Sequence, residues 1–146
     1  MDYLISCIGK PSLAYAQSGI SEYQKRLSRY SKCSIQYLKK TTSDKESAAL
    51  LKASEGTFRV SLDERGECLK TTDIHKRFTQ WQLNGVSRIS ILIGGADGHH
   101  SELRKESDWL WALSPMTLQH ELALLVLLEQ LYRVETISTG TPYHRE

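Results

Sequence analysis

Five short apolar runs, separated by stretches whose apolar residues recur every three or four positions, constrain this chain more than any other feature. Residues 3–8, 34–38, 57–62, 89–93 and 109–113 read as strands. After the first run, Leu13, Ala16, Ile20, Tyr23, Leu27 and Tyr30 mark one face of an amphipathic helix. Ser43 and Glu46 stand at capping-box spacing ahead of a short helix reaching about residue 54. The turn-rich DERGE segment is expected to close the third strand. Thr71 or Thr72 can cap a helix that carries Ile74, Phe78 and Trp81 and ends at Gly85. Strands alternating with helices predict one α/β domain over residues 1–146, a largely parallel sheet flanked by helices. ISILI, the most apolar strand, belongs at its centre.

The last helix, over residues 120–134, is apolar almost all round. A helix on the outside of a small sheet keeps one polar face. A second copy of the chain is therefore the expected partner, making a homodimer. The longest apolar stretch, residues 122–128, is far short of a membrane span, and the start has no basic region of a signal peptide. Three scattered cysteines without CxxC spacing (Cys7, Cys33, Cys68) read as reduced thiols of a cytoplasmic protein. The formal charge of +2 is weak for a protein held on nucleic acid by phosphate contacts alone. Lys25, Arg26, Arg29, Lys32, Lys39 and Lys40 nevertheless form a local basic cluster, which reads equally as a solvated helix end.

Among groups that could do chemistry, GGADG follows the most apolar strand, at the end of the sheet where open α/β folds bind ligands. Glycine there admits close approach of a ligand, and equally makes a plain turn. The turn after the first strand, GKPSLA, has a single glycine, so the dinucleotide fingerprint is missing. His99 and His100 read as members of a solvated loop, with no helical His/Glu partner for a metal. Ser101 and Ser114 have no nucleophile elbow around them.

LIGGADG, WALSPMTL, LLEQLYR and the closing PYHRE occur in order, and this set resembles the ribosomal RNA large-subunit methyltransferase H family over nearly the whole chain. That family belongs to the SPOUT superfamily. The resemblance implies a C-terminal trefoil knot and S-adenosylmethionine as cofactor; no metal is expected from the histidine spacing. It also implies an activity, methylation of N3 of a pseudouridine in 23S rRNA on the assembled ribosome. Carried onto this chain, it places the cofactor at Leu62, Gly95, Ser114, Pro115, Met116, Thr117, Leu118 and Gln119. It places the substrate side at Arg133, Tyr143, His144 and Arg145. Ala96 and Asp97 stand where the family commonly has proline and glutamate, and Gln119, His120 and Glu121 where a proline is expected near the histidine.

The tail suits that chemistry. A loop base can stack on Tyr143. Arg133 or Arg145 can donate to carbonyl oxygens that gain charge when the imide loses its proton. His144, whose side chain ordinarily titrates near neutrality, is the candidate base. The alternative is a non-catalytic α/β module that binds nucleotide or RNA.

Overall fold

In the computed structural model, which describes residues 1–145, the alternation becomes five strands and five helices. Glu146, the last residue of the tail, lies outside the described residues. The strands are β1 (Asp2–Ile8), β2 (Cys33–Leu38), β3 (Phe58–Glu67), β4 (Arg88–Ile93) and β5 (Trp109–Trp111). The helices are α1 (Ala14–Leu27), α2 (Ser43–Ala53), α3 (Thr71–Leu83), α4 (Ser101–Lys105) and α5 (His120–Thr139). The sheet order is β2-β1-β4-β3-β5, with every pairing parallel and the ISILI strand at the centre as expected.

Period-two alternation sorts the side chains. Tyr3, Ile5, Cys7, Ile89, Ile91 and Ile93 enter the larger core with α1, α3 and α5, while Ile8 and Leu92 meet Leu50 of α2 and Leu103 of α4 on the other face. That second face also holds buried serines, each satisfied. Ser6 accepts from Gln36, Ser90 from Thr57, and the Ser61 hydroxyl pairs with Ser107.

Helix α5 packs against both α1 and α3. Leu124, Leu127, Leu128, Leu131 and Val134 are buried, each contributing about 1.5–3 kcal/mol. Much of its apolar character is thus answered within the chain. Leu122 and Val126 remain half-buried. The helix runs beyond residue 134, to Thr139, and ends on Gly140 at φ 70°, a left-handed cap that glycine adopts without steric cost.

Three local expectations are corrected. Strand β3 does not stop at Leu62 but continues through DERGE, pairing Glu67 with Trp111 after an irregularity. The turn residues appear as that bulge: the Arg65 amide donates to the Asp63 carboxylate. Gly66 is required there, since a Cβ would lie 2.4 Å from the Leu110 carbonyl carbon. At α2 the N-cap is Thr42, and Glu46 accepts from the Thr41 amide, so the reciprocal Ser43/Glu46 box does not form. Lys70 precedes α3 without a side-chain cap, and the Thr71 hydroxyl donates to Gln130 on α5.

Candidate active site

The loops after β4 and β5 and the bulge of β3 enclose a cleft of about 470 Å³ at one end of the sheet. Its size is ordinary for a small-molecule site, and it lies at the C-terminal strand ends. Leu62, Gly95, Ser114, Met116, Thr117, Leu118 and Gln119 all line it; Pro115, in the same loop, does not. Asp63, Glu64, Asp97 and Arg65 give the lining three carboxylates to one guanidinium, a balance that favours positive charge in a ligand.

The walls are tied to one another. Thr117 donates to Glu64 at 2.7 Å, linking the β5–α5 loop to the β3 bulge. The Met116 amide donates to the Ser114 hydroxyl, leaving the Met116 side chain 71% exposed at the rim. The Gln119 carbonyl caps α5 by accepting from the Leu122 amide, and its NH₂ donates to Glu121. Glu121 in turn accepts from the amides of Ser12 and Leu13, closing the start of α1 that no side chain of its own caps. Burial raises the Glu121 pKa, but these donors prevail and hold it below the ordinary carboxylate value.

The two loop glycines have distinct reasons. A Cβ at Gly94 would stand 3.1 Å from the His99 ring, and one at Gly95 would stand 3.1 Å from a Glu46 oxygen and 3.4 Å from Ile8. A side chain at Gly95 would thus point at α2 and β1, not into the cleft that the residue lines. His99 is no solvated-loop residue; it is 6% exposed and lines the cleft. His100 is the exposed member, capping α4 with Nδ1 and donating its amide to Ser47.

The tail folds back onto the body. Tyr143 donates to Glu129 at 3.0 Å, lies 3.2 Å from the Tyr23 hydroxyl, and packs edge-on against Tyr132. Burial, followed by the bonds to Tyr23 and Glu129, raises its phenol pKa well above normal. Arg133 donates to Glu129 through Nε and Nη2 and to His144 Nδ1 through Nη1 at 3.2 Å. A guanidinium only donates, so Nδ1 accepts and the neutral imidazole carries its proton on Nε2. That Nε2 is buried and has no hydrogen-bond partner among the described residues. Arg145 is exposed. Arg133, Tyr143 and His144 thus come together, yet none of the tail group, Arg145 included, lines the cleft.

Sequence reasoning gave no site role to Asp63 and Glu129, read Glu46 as a helix cap and His99 as a solvated-loop residue, and noted Glu121 only as a departure from the family pattern. Glu129 had a legible signal, its four-residue spacing from Arg133 on one helix.

The comparisons with known proteins decide what family this arrangement belongs to. A family model described as "Predicted SPOUT methyltransferase" matches residues 1–144. The ribosomal RNA large subunit methyltransferase H of Thermus thermophilus is 45% identical over 141 residues, 97% of this chain and 96% of that protein. The protein of the same name from Deinococcus radiodurans is 44% identical over 138 residues, 94% of each. This chain belongs to the ribosomal RNA large subunit methyltransferase H family of SPOUT methyltransferases. Among solved structures, the tRNA (m1G37) methyltransferase of Aquifex aeolicus shares the fold at a TM-score of 0.54 with 16% identity, over 92% of this chain and 70% of that one. Family membership and that likeness imply the trefoil knot, and S-adenosylmethionine is the methyl donor of the family. No helix among the described residues is long and apolar enough to cross a membrane.

Proposed function

We propose that this chain transfers a methyl group from S-adenosylmethionine to N3 of a pseudouridine in 23S rRNA, on the assembled ribosome and as a cytoplasmic homodimer. The observation that carries the reading is the near full-length identity to the Thermus protein named ribosomal RNA large subunit methyltransferase H. The cleft agrees with it in size, position and acidic lining.

The cofactor supplies an electrophilic methyl on a cationic sulfonium. The chain's own work is to align the two reactants, stabilise an imide anion and accept a proton. Arg133 is the group to stabilise the anion, because it is a fixed donor held by Glu129. While Arg133 also donates to His144, the histidine lone pair is occupied. A pseudouridine carbonyl that takes over that donor would free Nδ1. Arrival of the substrate then creates the base that deprotonates it.

Two observations support the dimer. Leu122 and Val126 of α5 stay half-buried, and the tail group does not line the cleft of its own chain. A second copy seated across α5 would cover those side chains and could join a tail to a cleft. The deciding experiment is calorimetry with S-adenosylmethionine, then methyl transfer to ribosomes that lack the modification. Binding and transfer are expected. Binding without transfer leaves only the non-catalytic module, and no binding removes the cofactor site.

A further inference from the structure

His99 is buried, and neither ring nitrogen makes a well-formed hydrogen bond among the described residues, although the backbone carbonyls of Leu92 and Leu62 stand beside the ring. A buried polar group without a partner ordinarily costs about 1–3 kcal/mol, so its retention calls for a reason. The ring lies against Gly94, where a Cβ would meet both Nδ1 and Cε1, and its backbone carbonyl accepts from Arg104 at 2.5 Å. The same loop turns tightly, Gly98 donating to the Gly95 carbonyl with Gly98 at φ 72°. Ser47 holds the next residue, His100, and Glu46 stands under Gly95. The imidazole is therefore the wedge on which the cleft's glycine turn rests.

We propose that His99 is a positioning residue for ligand binding: its neutral ring sets the turn at Gly94 and Gly95, and adding a proton to it releases S-adenosylmethionine. This rests on the cleft being the cofactor site. The groups that face the ring come from each neighbouring element. Asp63 of β3, with a nearly buried carboxylate, and the carbonyls of Leu92 and Leu62 favour a charged ring; Arg104 of α4 opposes it. Burial outweighs the favourable set and holds the His99 pKa below its ordinary value. An imidazolium in this position would draw in water or swing out, and either motion moves the turn that borders the cleft.

The experiment is calorimetry of S-adenosylmethionine binding from pH 7 to pH 5 with the full chain, His99→Leu and His120→Gln, the last because His120 also lines the cleft. His99→Gln, neutral throughout, replaces His99→Leu if the latter fails to fold. Titration of the ligand itself is common to all the proteins and cancels in the comparison. The unaltered chain is expected to lose affinity by up to about tenfold per pH unit on the acid side, while the His99 variant loses far less. Equal losses in both overturn the proposal, as does a loss that disappears only in His120→Gln, or tighter binding at pH 5. Absence of binding at pH 7 is a separate failure, that of the cofactor site, and is seen before pH is varied.

Discussion

Arg133 lies over the ring of Tyr143, its guanidinium carbon 4.7 Å from the centroid, and Glu129 accepts hydrogen bonds from both. One carboxylate thereby fixes a cation and an aromatic face in a single orientation. Glu129→Gln keeps the shape but removes the negative charge that strengthens the two bonds from Arg133 and the one from Tyr143. Methyl transfer should fall by about tenfold to a hundredfold, from a loss of about 1.5–3 kcal/mol, with S-adenosylmethionine affinity unchanged. Single-turnover rates beside calorimetry check this. Equal loss of both would place Glu129 in folding alone.

Removing residues 143–146 should abolish transfer while cofactor affinity largely survives, because the tail group does not line the cleft. His144→Ala and Arg133→Ala should behave likewise, but they differ with pH. A missing proton acceptor is partly rescued by raising pH, whereas a missing anion-stabilising guanidinium is not. A tail-deleted protein that methylates at the normal rate would sink the assignment.

Gly95→Val should weaken cofactor binding by displacing the turn from Glu46 and Ile8, without the new side chain itself occupying the cleft. Glu46→Ala should then restore part of the affinity, since the added methyls would have somewhere to go. A double-mutant cycle that is strictly additive would refute that route.

Folding stability should decline on acidification through His99. Its folded pKa lies below the ordinary value of about 6.5, so the unfolded chain binds more protons between those two values. Stability therefore rises with pH across that window and is lost as pH drops from about 6.5. Thermal melts from pH 7 to pH 5 should show a shallower decline for His99→Leu than for the unaltered chain.

Burial pushes the thiols of Cys7 and Cys33 up to about 12. Cys68 is exposed. Alkylation of the folded protein at neutral pH should modify Cys68 alone, and mass spectrometry should find three labels only after unfolding.

The sequence by itself determined the element order, the parallel sheet and the central ISILI strand, because period and spacing are local properties that survive any packing; the cleft-lining segments were implied only by the family resemblance. The ordered motifs also carried the family. What it could not determine were relations across the fold. DERGE has turn composition, yet β5 supplies a pairing partner for Glu67, and a ladder bond outweighs local turn preference. His99 looks like a loop residue until Gly94, Asp63 and Arg104 close around it. The glycines looked like space for a ligand, but the atoms facing Gly95 are Glu46 and Ile8, brought from distant positions, and Gly94 faces His99 of its own loop. The last helix looked apolar on too many sides because α1 and α3 both lie against it. Burial and the partners of polar atoms are set by which segments meet, and only the tertiary structure decides that.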